Sequence, residues 1–364
     1  MKSPPVSLII PIKNEESCIS KCLSEISNQT YPSDKTELLV VDGMSTDSTR
    51  ERICRFGAEN ECLDFRIIDN PKGQRASALN AGIREAKGDI ILRIDARTII
   101  PPDYVEKCVE ALEESGADNA GGMQRPKVDG LHRGNLTQFA VGIAMSSLFG
   151  VGNARFRTGR RSGFTDTVYL GCFRKELFEK VGLFDEDSAV ISEDADMNFR
   201  IRQAGGKIYF NKDVVAYYYP RGSFKELWRL YFRYGGAKAG NLIKRGKLTA
   251  FRQHVPPFFL LALVLLPLLG LFNRLFLFLW LAVCGSYLLA ALLASVHAVL
   301  NSNSVYAGSN SVYAGLDKAM FSLGDKIVVF SRLLFAFPTM HMSWALGFFK
   351  RLMQRPKPGE YWSN

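Results

Sequence analysis

Three short apolar runs in the first hundred residues each end on an aspartate: Leu38 to Val41 on Asp42, Phe65 to Ile68 on Asp69, and Ile90 to Ile94 on Asp95. Carboxylates accept hydrogen bonds from base N–H groups and ribose hydroxyls, and they ligate Mg2+ or Mn2+. Between the second and third runs lies Asn70-Pro71-Lys72-Gly73-Gln74-Arg75. Its Lys72 and Arg75 either offset phosphate charge or stand in an ordinary solvated turn. A second acidic centre, Glu193-Asp194-Ala195-Asp196, precedes Arg200 and Arg202. Acids in a first helical turn meet the positive end of the helix dipole, and Asp196 with Arg200 fits a surface pair. A carboxylate within reach of a hydroxyl is equally a general base. Taken singly, each residue also fits a cap or a turn, Asp95 included. Three strands ending alike put their carboxylates on one rim.

Elements of alternating type must hold that rim. Val6 to Pro11 predicts a first strand, with Asn14-Glu15-Glu16 opening the next helix. Cys18, Ile19, Cys22, Leu23 and Ile26 make its buried stripe. Gly43 turns the chain after Asp42, and a helix is predicted over 76–86. Pro101-Pro102-Asp103 starts another. Strands alternating with helices at short spacing predict an α/β sheet of parallel strands, whose ligands sit beyond the strands' carboxyl ends. Lys207 to Phe210 and Val214 to Tyr219 read as two short closing strands, and Asn135 to Phe149 as a helix.

The carboxyl-terminal part has a different composition. Val255 to Phe272 and Leu275 to His297 are nearly continuous apolar runs, each long enough to cross a bilayer as a helix. Met1 to Glu16 has too short an apolar stretch for a cleavable signal, so the expectation is a domain left in the cytoplasm ahead of two spans. Net charge is +10, and the basic residues crowd 221–252 and 350–357, flanking the apolar runs. Lys and Arg so placed mark a cytoplasmic membrane face and argue against nucleic acid as the partner. The seven cysteines include no CxxC pair, which fits a reduced compartment without structural zinc. Residues 1–222 thus form a cytoplasmic domain, 223–250 an amphipathic interfacial region, 255–297 two spans and 298–326 a loop carrying the duplicated heptapeptide of Ser302 to Gly315. Residues 327–349 make a third span, or a re-entrant or interfacial helix, which Lys350-Arg351 in the basic tail 350–364 favours as non-spanning.

The order Ile10-Pro11, Asn14-Glu15, Val41-Asp42-Gly43, Ser45-Thr46-Asp47, Asn70 to Asn80 and Asp95 resembles the nucleotide-sugar domain of inverting family 2 glycosyltransferases, of GT-A fold. The resemblance implies that Asp42 contacts uracil or ribose, that Asp69 lies near the base, and that Lys72 to Arg75 lie against the diphosphate. It also implies a divalent metal at an Asp-x-Asp, and here the chain departs: Asp95-Ala96-Arg97 keeps one carboxylate. Asp95 alone would hold Mg2+ or Mn2+ with substrate phosphates and water, or Arg97 would supply charge to the diphosphate in the metal's place.

The run from Asp166 through Asp185-Glu186 looks like the acceptor half of bacterial exopolysaccharide glycosyltransferases of the succinoglycan type. There the family's Glu-Asp motif falls on Glu193-Asp194, and Asp194 matches the general base. Arg155 to Arg161 would clamp an acceptor phosphate or be a mobile loop, and Arg233 would touch diphosphate. The family's processive synthases carry Gln-x-x-Arg-Trp near Trp228-Arg229; its absence implies one sugar added at a time. The expectation is transfer of a hexose, glucose foremost, from a UDP-sugar to a polyprenyl-diphosphate-linked saccharide at the inner membrane. Transfer to polyprenyl phosphate itself is one alternative, and a non-catalytic nucleotide-sugar-binding regulator another.

Overall fold

The computed structural model describes residues 3–60, 63–128, 135–186, 193–246, 248, 250–300 and 322–354. The heptapeptide duplication and most of the basic tail lie outside them. In chain order the elements are β1 (Val6–Ile12), α1 (Ile19–Ser27), β2 (Thr36–Asp42), α2 (Thr49–Glu59), β3 (Asp64–Asp69), α3 (Arg75–Glu85), β4 (Ile90–Arg93), β5 (Thr98–Ile99), α4 (Tyr104–Ser115) and β6 (Asn119–Pro126). There follow α5 (Leu136–Ala144), α6 (Leu148–Val151), α7 (Arg155–Thr158), β7 (Gly163–Phe164), β8 (Tyr169–Arg174), α8 (Leu177–Val181), α9 (Glu193–Gln203) and β9 (Ile208–Tyr218). The last four helices are α10 (Phe224–Arg245), α11 (Val255–Gly270), α12 (Arg274–Leu300) and α13 (Leu323–Met353). The chain divides into two units, the first chiefly of residues up to 125 with 159–218, the other of 126–158 with 219–360.

In the first unit one sheet runs β3-β2-β1-β4-β8-β6-β9-β5, with β7 on β9. β3, β2, β1 and β4 pair parallel, as their alternation with helices predicts, while β8 joins β4 antiparallel. The alternation of β-strand side chains splits the apolar residues cleanly. Leu8, Ile10, Leu38, Val40 and Leu92 pack with α1 and α4 on one face, and Ile9, Leu39, Val41 and Ile91 with α3 and α9 on the other. Covered on both faces, these strands read as unbroken apolar runs rather than alternating ones. Register sets the rim: Ile12 lies opposite Asp42, and Asp42 opposite Asp69.

Two boundaries differ from expectation. The two closing strands are the single strand β9, which carries Asn211-Lys212-Asp213 through. Its polar stretch is exposed and edge-like: the Lys212 N–H donates to Ser162 Oγ at 3.1 Å and the Asp213 N–H to Asn211 Oδ1 at 3.0 Å. Residues 135–149 are two helices, because Ser147 caps α6 by accepting from the Gly150 N–H at 3.0 Å.

The second unit holds α10 to α13 with α5 to α7. Ser223 caps α10, accepting from the Glu226 N–H, and Gly246 ends it in a left-handed conformation. By length and composition Phe251–Gly270, Arg274–Leu300 and Leu323–Met353 could each cross a membrane. α11 and α12 leave Leu261, Leu265, Leu268, Leu281, Leu288 and Leu292 exposed, as helices facing lipid do. α13 runs continuously for 31 residues through Pro338. Gly235 of α10 and Gly347 of α13 let the two backbones touch: a Cβ on Gly235 would lie 1.8 Å from the Trp344 carbonyl oxygen, and one on Gly347 1.9 Å from that of Phe232.

Candidate active site

At the end of β2 the Asp42 side chain is fully buried. Its Oδ1 accepts from the Ser45 N–H at 3.0 Å and from Ser45 Oγ at 2.6 Å. Arg50 of α2 donates to Asp42 Oδ2 at 3.4 Å and also pairs with Asp69. The two strand-end aspartates are therefore adjacent, as expected, with a guanidinium between them that the sequence reading missed. Its signal was available: Arg50 lies on the helix that follows directly from Asp42 and its Gly turn.

The surrounding loops are laced by side chains. The Asn14 N–H donates to Ser45 Oγ at 2.9 Å, and Asn14 Oδ1 accepts from the Thr46 N–H at 2.8 Å. The Glu15 N–H donates to Thr49 Oγ1 at 2.8 Å. Asn14 and Met44 both hold positive φ, 53° and 61°, a conformation costly for non-glycine residues and frequent at functional sites. Pro11 lies within β1 in register with Val41, one step before Ile12 and Asp42 close the rim.

The exposed side chains of Lys72 and Arg75 are both engaged in ion pairs. Lys72 pairs with Glu186 at 2.6 Å, and Arg75 Nη1 reaches Glu193 Oε1 at 3.5 Å. Gly73 has φ +62°, and a Cβ there would meet Lys13 Nζ at 2.6 Å, so a third cation crosses this loop.

Asp95 follows β4 and is partly buried. Arg93 grips it with two bonds, Nε to Oδ1 at 2.9 Å and Nη2 to Oδ2 at 3.3 Å. Burial alone would push the Asp95 carboxyl up; the Arg93 guanidinium, and behind it Arg75, reverse this and hold it below the usual carboxylate range. Arg97 turns away to Glu15, at 2.7 and 3.0 Å. Nearby, burial and Glu15 push the Cys18 thiol up to about 12, which excludes it as a nucleophile at neutral pH.

Glu193 and Asp194 open α9. Glu193 is buried and takes Arg93 Nη2 at 3.1 Å. Asp194 is half-buried, its Oδ1 accepting from the Ala195 N–H at 2.7 Å. Further along, Arg200 pairs with Asp196 at 3.0 Å and donates to the carbonyls of Val181, Gly182 and Leu183. Asn80 exchanges two 2.8 Å bonds with the Phe184 backbone. Together they fix the segment between α8 and residue 186. Asp166, between β7 and β8, accepts from Thr165 Oγ1 at 3.3 Å. Arg233 lies in the second unit, on α10, lining a recess with Trp228, Arg229 and Phe232.

Among the described residues no three His, Cys, Asp or Glu side chains gather as a metal-ligand set. One carboxylate, Asp95, satisfies Mg2+ or Mn2+ only where phosphate oxygens and water complete the shell. The residues present therefore fit a metal shared with a bound diphosphate and do not fit a closed protein site.

The family model described as Glycosyl transferase family 2 matches residues 7–182. The succinoglycan biosynthesis protein ExoA of Rhizobium meliloti is 32% identical over 253 residues, spanning 68% of this chain and 73% of that protein. The dolichyl N-acetyl-alpha-D-glucosaminyl phosphate 3-beta-D-2,3-diacetamido-2,3-dideoxy-beta-D-glucuronosyltransferase of Methanococcus voltae is 28% identical over 246 residues, spanning 66% and 74%. The mannosyltransferase PcManGT of Pyrobaculum calidifontis, solved with GDP-Man and Mn2+, superposes with a TM-score of 0.56 at 20% identity, covering 97% of this chain and 88% of that one. The fold is that of the GT-A glycosyltransferases. The chain belongs to glycosyl transferase family 2 and is a glycosyltransferase with membrane-type helices.

Proposed function

We propose that this chain transfers a hexose, glucose foremost, from a UDP-sugar to a hydroxyl of a polyprenyl-diphosphate-linked saccharide, in polysaccharide biosynthesis. Its first unit works at the cytoplasmic face of the inner membrane. The observation that carries the reading is the union of Asp95, at the end of a parallel strand, with Glu193-Asp194, at the start of α9, through one buried arginine. Donor-side and acceptor-side carboxylates then share a single cluster. Support comes also from ExoA, whose name places it in succinoglycan biosynthesis, and from the Methanococcus relative, named for transfer to a dolichyl-linked sugar.

Asp42 and Asp69 receive the nucleoside, accepting from base N–H and ribose hydroxyls. Lys72 and Arg75 lie toward the diphosphate. Asp95 would hold Mg2+ or Mn2+ together with that diphosphate, and a metal there would supply positive charge to the leaving group. Asp194 accepts the proton of the acceptor hydroxyl as that oxygen attacks the anomeric carbon from the face opposite the diphosphate, which inverts the configuration. Asp196 and Arg200 hold the acceptor segment in place. The helices deliver a lipid-anchored acceptor, and α10, with aromatic and basic residues at helical spacing, lies at the interface.

The test is transfer of labelled sugar from UDP- and GDP-sugars into extracted lipid by membranes carrying wild type, Asp95→Asn or Asp194→Asn, with and without EDTA. Lipid label from UDP-glucose, abolished in both variants and by EDTA, is the expected result. Label on lipid extracts that hold only polyprenyl phosphate would give the other acceptor. Label surviving Asp194→Asn would overturn the base assignment.

A further inference from the structure

We infer that Arg93 is a positioning residue of the transfer reaction, its buried guanidinium holding the carboxylate after β4 and the helix that begins at Glu193 in one fixed arrangement. The inference rests on Asp95 as the donor-side carboxylate and Asp194 as the base. Arg93 interrupts an apolar strand in register with Ile9. Strand alternation puts it with Ile91 on the face covered by α3 and α9, where its side chain is only 8% exposed.

A cation so buried is costly unless paired. Arg93 divides its fork between two elements: Nε and one Nη bond meet Asp95, and the same Nη2 meets Glu193 Oε1 at 3.1 Å. Arg75, from α3, reaches that Glu193 oxygen from another side. A planar fork spans two carboxylates on separate elements; a lysine ammonium is a point charge. Packing alone does not require it, because buried ion pairs are commonly replaced by apolar side chains of similar volume without loss of stability. What the fork supplies is a fixed separation, and it acts on Glu193, the residue directly before the base.

The experiment is steady-state transfer from UDP-glucose into extracted lipid by the full chain in membranes, comparing wild type with Arg93→Lys, Arg93→Met and Asp194→Asn. UDP binding and thermal unfolding are measured in parallel. Arg93→Met is expected to lower kcat about a hundredfold, the scale of a misplaced reacting group, with UDP affinity held within about threefold. Arg93→Lys should lose about tenfold in kcat, charge without the fork. The Lys variant decides the matter should the Met variant unfold.

A wild-type kcat in either variant would overturn the inference, as would a loss matched by the unfolded fraction alone. Loss of UDP affinity with kcat intact would make Arg93 a donor contact instead. Activity in Asp194→Asn overturns the base assignment and this inference with it; an inactive Asp194→Asn beside a fully active Arg93→Met overturns this inference alone.

Discussion

Arg97 lies against Glu15 at 2.7 Å, 82 positions away in the chain, and so turns from Asp95 although only one residue separates them. Its side chain is 64% exposed. Exposed pairs contribute at most about 1 kcal/mol. Arg97→Ala should therefore shift a urea unfolding curve by less than that, and donor KM should rise severalfold if the guanidinium swings to the diphosphate on binding. An unchanged KM would leave Arg97 as a surface partner of Glu15.

Asp42 and Asp69 share Arg50 but not their surroundings. Asp42 is fully buried, and the Asp69 side chain is 55% exposed. Asp42→Asn should weaken UDP binding by at least tenfold and lower stability by about 3 kcal/mol, the scale of breaking a buried charged pair. Asp69→Asn should cost stability below about 1 kcal/mol. Calorimetric titration with UDP and urea melts would separate the two.

Acid should act through the depressed carboxylates. Glu37 lies inside the sheet, where burial pushes it up but Ser7, the Lys87 N–H and Arg66 outweigh burial and hold it below its ordinary value. Asp95 is depressed likewise. A group with a lowered folded pKa contributes in full above its unfolded pKa, about 4 for these side chains, and loses that contribution as pH falls through the folded value. Glu37→Gln should cost about 3 kcal/mol at pH 7, and the gap to wild type should narrow below pH 4. Urea melts at both pH values check this; a constant gap would refute it.

In the second unit Gly235→Ala or Gly347→Ala must separate α10 from α13, since each new methyl would lie within 2 Å of a carbonyl oxygen. Overpacking of this kind costs about 1–3 kcal/mol or more. Gly285→Ala, which meets nothing within 4 Å, should be neutral or stabilising by about 0.5 kcal/mol. Thermal unfolding in detergent distinguishes them.

Lys350 Nζ sits 5.5 Å from the centre of the Phe232 ring, which ties the end of α13 to the basic helix α10. Cysteines placed at Arg229 and at Arg351 should therefore react with an impermeant maleimide from the same side of sealed vesicles. Labelling from opposite sides would mean that α13 crosses the bilayer.

The parallel half of the sheet was legible because its strands are short, mostly apolar runs followed by turns, three of them leading into Asp42, Asp69 and Asp95. Asp42, Asp69 and Asp95 could be placed on one rim for the same reason, whereas Glu193 and Asp194 entered that grouping only through the family resemblance. Arg93 was visible only as an oddity in an apolar strand. The pairing of Lys72 with Glu186 joins residues 114 positions apart, and no local pattern encodes such a contact. The unity of β9 escaped for the opposite reason: Asn211-Lys212-Asp213 has turn composition, yet the Lys212 N–H bonds to the distant Ser162 within a continuous strand.

That strand also behaves as a measuring rod. Near one end Tyr209 and Phe210 pair with β7, and at the other Tyr217 and Tyr218 pair with β5, the two residues that follow the Asp95 turn. Eight steps of an extended chain span about 27 Å. A single residue inserted between Phe210 and Tyr217 would lengthen the rod by about 3.3 Å and invert the facing of every side chain beyond it. Such an insertion is expected to displace the turn after Asp95 without touching any residue assigned to the chemistry, and so to lower sugar transfer in the labelled-lipid assay.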